Sequence, residues 1–343
     1  MVPVETPYVA VDLDVLDRNV RSMAASATAR GLALRPHAKT HKTIEIARRQ
    51  LEQGAAGLTV ATVREAEIFA DGGAGDLFIA YPVWPSPERA RRLRALAERV
   101  ALRLGVDSAE SADALARAVG PLDVLVEVDS GHHRSGVQPH EAKGLAEAAA
   151  RAGHRVLGIF TFPGHGYGPG SQPQAALDEA RALAGADPGA GVRSGGSTPT
   201  AGLAGAGPLT EIRPGVYVFN DAQQVELGTC DFDAVALTVA ATVVSRTGNR
   251  AIVDAGSKIL GADRLAWATG FGRLPDFPEA RVAALSEHHA TIEFPDAVPA
   301  RGDLLRVAPN HVCATVNLVD ELVVVSGGGQ VDQWRVAARG ANT

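Results

Sequence analysis

Short β-branched runs alternate with Ala-, Arg-, Glu- and Leu-rich stretches from Leu32 to Asn220, and this alternation limits the fold more than any other feature. The extended runs cover residues 32–35, 57–62, 76–81, 101–106, 123–129, 156–162, 192–196 and 215–219. Helical stretches cover 42–53, 63–71, 87–100, 108–119, 140–152 and 174–184. Several of the strands are continuously apolar, as strands covered on both faces are. Repeated strand–helix units require a parallel sheet with right-handed crossovers. Eight such strands match an N-terminal (β/α)8, TIM-like barrel, and the strand count disfavours the rival doubly wound open sheet.

After Asn220 the pattern changes. Runs at 235–244, 250–254, 290–294, 303–307, 321–325 and 331–336 read as strands with no long helices between them, which predicts a C-terminal all-β domain. The expected division is 1–225 and 226–343, with a linker around 221–231 and the first few residues free to pair with the β domain. A Gly-rich turn at 327–329 suits a hairpin. Hydrophobic residues at 46% and charged residues at 21% exclude a disordered or fibrous chain. A net charge of -6 leaves no electrostatic footprint for nucleic acid or an anionic membrane. The longest apolar run, 234–244, is too short to span a bilayer. Glu5, Asp12 and Asp14 precede the first Arg, unlike the head of a signal peptide. With only 2 cysteines, the expectation is a soluble, cytoplasmic protein.

In a barrel, chemistry gathers where the strands end. Polar loops follow the first strand (36–42), the fifth (127–136), the sixth (163–168), the seventh (195–200) and the eighth (217–221). The chain has four lysines, Lys39, Lys42, Lys143 and Lys258, so amine chemistry has few candidates. Lys39 sits at a strand end between His37 and His41, where partial desolvation favours a nucleophilic amine; a solvated lysine in a basic turn is the plain alternative. Lys42 and Lys143 are expected in solvent; Lys258 is expected in a surface turn, with reach to a site from the second domain as the alternative. The Gly195 to Thr200 turn offers N–H groups and hydroxyls to a phosphate, with Tyr217 as a further donor, although such turns are common. The Arg134 fork suits a carboxylate or phenolate, or a salt bridge to Glu127 or Asp129. Tyr167 suits a planar ring, and His165 is either an acid–base group or a turn residue. His311 and Cys313, two apart, share a face if their segment is extended; an imidazole with a thiolate makes a zinc pair, and a buried Cys beside a satisfied His is the alternative.

Three motifs, Arg35-Pro36-His37-Ala38-Lys39-Thr40-His41-Lys42, Gly196-Ser197-Thr198-Pro199-Thr200 and Pro309-Asn310-His311-Val312-Cys313, resemble the D-serine dehydratase and D-threonine aldolase family. These are pyridoxal-phosphate enzymes with an alanine racemase-like barrel. The resemblance spans nearly the whole chain. It implies Lys39 as the Schiff-base lysine, Ser197, Thr198 and Tyr217 as phosphate contacts, Tyr167 near the ring nitrogen and Arg134 near the phenolic oxygen. Gly196 and Asp221 join the expected cofactor-binding set. His311 and Cys313 would hold a divalent metal, with zinc expected, and the assembly would be a homodimer. Dehydratase-like members resemble this chain in His-x-Cys, Gly-His-x-Tyr and Gly-Ser-Thr-Pro-Thr, whereas aldolase members more often carry His-x-Asp. The expected activity is therefore dehydration of a D-β-hydroxy amino acid such as D-serine to a keto acid and ammonia. The alternatives are retro-aldol cleavage to glycine and an aldehyde, racemisation, and a non-catalytic pyridoxal-phosphate carrier. The chain departs from the family in being truncated over 188–207.

Overall fold

Strand β1 (Tyr8–Asp12) and helix α1 (Leu13–Ala29) open the chain. The computed structural model describes residues 5–186, 191–204 and 207–343. Residues 188–190 and 205–206 of the truncated stretch therefore lie outside the described residues. The chain forms two compact units, one of Arg21–Lys39, Ile44–Gly215 and Ala341–Thr343, the other of Met1–Val20, Thr40–Thr43 and Val216–Gly340.

The first unit is parallel. Its strands are β2 (Ala33–Leu34), β3 (Leu58–Val60), β4 (Asp76–Pro82), β5 (Ala101–Val106), β6 (Asp123–Glu127), β7 (Arg155–Phe160), β8 (Val192–Gly195) and β9 (Glu211–Ile212). Helices α2 (Ile44–Glu52), α3 (Val63–Asp71), α4 (Pro87–Ala97), α5 (Ala109–Ala118), α6 (Ala142–Arg151) and α7 (Gln172–Ala186) alternate with them. The sheet order is β2-β9-β8-β7-β6-β5-β4-β3. Its two ends meet just past β2, where Ala38 N–H donates to Thr59 O and Thr59 N–H to Pro36 O, each at 2.8 Å. The sheet thus curls in a TIM-like manner. Leu58, Val60, Leu77, Ile79, Leu104, Val106, Val124, Val126 and Ile159 are fully buried, which accounts for the unbroken apolar runs. Thr62, Ser86 and Ser108 start α3, α4 and α5 by accepting from the backbone N–H three residues on.

The eighth parallel strand is not where the sequence placed it. Residues 215–219 form a 3-10 turn at Val216–Val218, and the strand is the two-residue β9. Val216, Tyr217, Val218 and Phe219 are apolar because the turn is buried, at no more than 4% exposure. β9 escapes a search for apolar runs because its neighbourhood is charged: Glu211 Oε2 accepts from Arg35 Nε at 2.8 Å and Glu211 Oε1 from Ser194 at 2.5 Å.

The second unit is largely antiparallel. It holds α8 (Ala222–Glu226), β10 (Leu237–Thr247), β11 (Arg250–Val253), α9 (Ser257–Leu260), β12 (Gly272–Leu274), β13 (Phe277–Leu285), β14 (Ala290–Glu293), β15 (Leu304–Pro309), α10 (Val312–Leu318), β16 (Glu321–Ser326) and β17 (Gly329–Arg335). The order β11-β14-β13-β12-β15-β10-β1-β16-β17, with β11 also paired to β10, closes six strands into a barrel. β1 pairs antiparallel with β10 and parallel with β16. β1, β12, β13 and α1 are additions to the sequence reading. Among the described residues no helix is long and apolar enough to cross a membrane.

Candidate active site

In the parallel unit, the segment beyond β2 is pinned before it reaches Lys39. His37 N–H donates to Pro214 O at 3.0 Å, the Thr59 hydroxyl donates to Arg35 O at 2.9 Å, and Ala38 is fully buried. Lys39 is half-buried, and its Nζ stands 5.9 Å from the centroid of the Phe162 ring. Phe162 follows β7. Arg134 Cζ lies 5.1 Å from the same ring, and the His132 ring meets it edge-on at 5.3 Å between centroids. Groups from two strand ends, β2 and β6, therefore meet the aromatic ring that follows a third, β7.

Arg134 is about half exposed, and its Nη2 is 4.0 Å from Glu127 Oε1. That oxygen also accepts from the Ser135 hydroxyl at 2.9 Å. Burial pushes the Glu127 carboxyl up, against the Ser135 hydrogen bond and the Arg134 charge. Glu127 Oε2 and Ser130 Oγ are buried without a hydrogen-bond partner, and both residues line a cavity of about 10 Å³ with His132, Arg134 and Phe162. That is space for about one water. Burial, followed by the Arg134 charge, lowers His132. His165 and Tyr167 occupy the turn Gly164–Gly166 and its cap, with His165 Nε2 3.5 Å from Asp178 Oδ2.

The loop after β8 is small and polar. Gly196 takes φ +72, a conformation that favours glycine. Its N–H donates to Glu179 Oε1 at 2.8 Å. Ser197 N–H donates to Thr200 Oγ1 at 3.0 Å, and the two hydroxyls are 3.0 Å apart. Ser197 is buried and Thr198 half-buried. The Gly196 and Ser197 amides thus hold the loop's own shape, and the Ser197 and Thr198 side chains are the groups it can present. A loop of this kind, together with a half-buried lysine over an aromatic ring, fits pyridoxal phosphate.

In the second unit, Tyr217 is 4% exposed and Asp221 1%. Asp221 Oδ1 caps α8 by accepting from Gln224 N–H at 2.9 Å, and Oδ2 accepts from Val312 N–H at 3.3 Å. His311 is the N-cap of α10, so His311 and Cys313 do not share an extended segment; the strand expected there ends at Pro309. The pair meets through the start of a helix instead. His311 Nδ1 is 3.5 Å from Asp221 Oδ2 and lacks a hydrogen bond, and Cys313 Sγ donates to Thr40 Oγ1 at 3.3 Å. Electrostatic interaction with Cys313 raises His311 well above an ordinary imidazole, against burial and with help from Asp221. An unsatisfied imidazole nitrogen beside a thiol is a nitrogen–sulfur donor set that fits a divalent metal such as zinc. Among the described residues no group of three or more His, Cys, Asp or Glu could hold a metal, so a metal here would keep positions for water or substrate.

The other lysines separate cleanly. Lys42 is buried, with φ +51 and its Nζ donating to Ala338 O at 3.2 Å, so the expectation that it points to solvent is corrected. Lys143 is exposed on α6. Lys258 is exposed on α9 rather than in a turn, 2.8 Å from Glu287. Sequence reasoning passed over Phe162 and Glu179, and weighed Glu127 only as an ion-pair partner of Arg134, where the structure places it at 4.0 Å. Phe162 carried a usable signal, being the aromatic that directly follows a strand on the polar rim.

Residues 11–223 match the family model of the alanine racemase N-terminal domain, and residues 236–325 match that of the "Putative serine dehydratase domain". D-threo-3-hydroxyaspartate dehydratase of Delftia sp. (strain HT23) is 34% identical over 97% of both chains. Its solved structure matches with a TM-score of 0.87 at 32% identity, covering 97% of each chain. D-threonine aldolase of Arthrobacter sp. is 33% identical, covering 98% of this chain and 93% of that one. The crystal structure of D-threonine aldolase from Filomicrobium marinum also matches with a TM-score of 0.87, at 31% identity over 99% of this chain and 97% of that one. Similarity over both units defines the class as that of pyridoxal-phosphate-dependent lyases. The chain belongs to the D-serine dehydratase and D-threonine aldolase family, whose N-terminal domain is alanine racemase-like.

Proposed function

We propose that this chain removes water from a D-β-hydroxy amino acid, giving a keto acid and ammonia, with pyridoxal phosphate and a divalent metal as cofactors. The observation that carries the reading is the Lys39 amine, half-buried at a strand end over Phe162. The His311 and Cys313 pair supports the metal, as does a solved structure of a D-threo-3-hydroxyaspartate dehydratase mutant described as in the metal-free form.

Bound pyridoxal phosphate supplies an electron sink for the α-carbon, and a divalent metal supplies a Lewis acid for the β-hydroxyl. Lys39 would hold the cofactor aldehyde, and its amine would serve as the base that takes the α-proton. The Arg134 fork would meet the phenolic oxygen, and Tyr167 would steady the ring near its nitrogen. Ser197 and Thr198 would donate hydroxyls to the phosphate, and Gly196 would let the backbone turn there. Asp221 orients the N-terminus of α10, and with it His311 and Cys313, which would hold the metal. Loss of the α-proton and the β-hydroxyl as water leaves an enamine that hydrolyses to the keto acid and ammonia. Phe162 and the buried Ala38 keep bulk water from the amine.

Retro-aldol cleavage is the second reading, favoured by full-length similarity to the Arthrobacter aldolase. Incubation of the metal-loaded enzyme with D-serine, D-threonine and D-threo-3-hydroxyaspartate separates the two. Keto acid with ammonia supports dehydration; glycine with an aldehyde and no keto acid rejects it. A homodimer in a cytoplasmic setting completes the proposal, with light scattering as its test. The two cysteines, which form no disulfide, agree with a reducing compartment.

A further inference from the structure

Beneath the loop that follows β8 lies an acid. Glu179, on α7, is 2% exposed. Its Oε1 accepts two hydrogen bonds, from the Gly196 N–H at 2.8 Å and from the Thr161 hydroxyl at 2.6 Å. The donors come from adjacent strand ends, Thr161 following β7 and Gly196 following β8. Gly195 leaves the carboxylate room to reach them. A Cβ at Gly195 would collide with Glu179 Oε1 and lie 2.7 Å from Thr161 Oγ1. Thr161 is itself fixed, since its N–H donates to Ser194 O at 2.9 Å and its carbonyl accepts from Arg213 Nη2 at 2.5 Å.

A carboxylate beneath a loop that meets an anion looks misplaced. Burial resolves the conflict by pushing the Glu179 carboxyl up, although the Thr161 and Gly196 bonds and the Arg213 charge oppose it. What the side chain supplies is an acceptor at a fixed point. The alternative partner for the Gly196 N–H would be the ligand, and Glu179 takes it away. The amide is spent on shaping the turn, which leaves the Ser197 and Thr198 side chains to make the contacts.

We propose that Glu179 is the positioning residue of the cofactor-phosphate loop, its Oε1 tying Gly196 to Thr161 so that the Ser197 and Thr198 hydroxyls are set for the phosphate. This rests on the reading of residues 196–200 as that loop.

The test compares pyridoxal phosphate with pyridoxal, which has the same aldehyde and ring but no phosphate. Binding of each to the apoenzyme is followed by absorbance in wild type, Glu179→Gln and Glu179→Asp. Glu179→Gln keeps an acceptor oxygen in place and should retain the wild-type preference for the phosphorylated form. Glu179→Asp keeps the carboxylate but withdraws it by one methylene. It should weaken pyridoxal phosphate about tenfold, the ratio one lost hydrogen bond carries, with pyridoxal unchanged. An unchanged ratio in Glu179→Asp, or equal weakening of both ligands, overturns the role of Glu179 and leaves the loop reading standing. Wild type that binds both ligands equally overturns the loop reading and this inference with it. If Glu179→Asp does not fold, Thr161→Val decides in the same assay: a reduced preference supports the proposal and an unchanged one overturns it.

Discussion

The Lys39 amine lies 5.9 Å from the centroid of the Phe162 ring, and the Arg134 guanidinium lies 5.1 Å from the same centroid. The negative face of an aromatic ring stabilises nearby cations. It also shields the amine from water without offering it a hydrogen bond. Phe162→Leu keeps apolar volume but removes the ring. The expected result is a loss of about three- to tenfold in kcat/KM, from one to two cation–π contacts. Steady-state kinetics check it, and an unchanged kcat/KM would show the ring to be packing only.

Lys39→Ala removes the amine itself. Turnover is expected to fall by about a thousandfold or more, because covalent attachment and proton abstraction are lost together. The visible-edge absorbance band of the bound cofactor should disappear as well. A band unchanged in the variant would place the attachment at another amine.

Legibility in the sequence followed burial chemistry. β6 was plain because Val124, Leu125 and Val126 are buried and apolar, whereas β9 was hidden because Glu211 sits inside an ion network that only the fold assembles. α1 was missed because Asp12-Leu13-Asp14-Val15 imitates strand alternation, although Leu16, Val20 and Ala27, buried along one stripe, give the helical spacing. Lys39 stood out because the chain has so few lysines, and its position after a strand end supplied the rest. Glu179 could not be found that way. In Leu177-Asp178-Glu179-Ala180-Arg181 it reads as one more solvated helix charge, and only the packing of α7 shows it buried. His311 was expected on an extended segment but caps a helix, since nothing in Pro309-Asn310-His311 announces that a helix starts next.

Glu127 should give stability a pH dependence. Burial raises its folded carboxyl above the ordinary glutamate value, so the folded chain holds the proton to higher pH than the unfolded chain does. Unfolding then releases a proton between the two values, and stability falls as pH rises through that window. Glu127→Gln cannot ionise. Its melting temperature relative to wild type should therefore climb between about pH 4, near the unfolded carboxyl value, and neutral pH. Thermal denaturation across that range checks it, and a pH-independent difference would show that Glu127 does not titrate differently on folding.

The metal pair gives the last test. His311 and Cys313 are brought together at the start of α10, with His311 Nδ1 3.5 Å from Asp221 Oδ2. Two protein donors hold a metal less tightly than three, so each should matter strongly. His311→Ala and Cys313→Ser are each expected to lower zinc affinity about a hundredfold or more, read by competition with a chromophoric chelator. Absorbance from the cofactor on Lys39 should survive in both, because neither side chain is a cofactor ligand in this reading. Chelation of the wild-type enzyme should abolish keto acid formation and zinc should restore it. Racemisation needs acid–base groups on both faces of the substrate and no Lewis acid at the β-carbon. Activity that persists as racemisation after chelation would therefore shift the assignment from the metal-assisted lyase to a racemase.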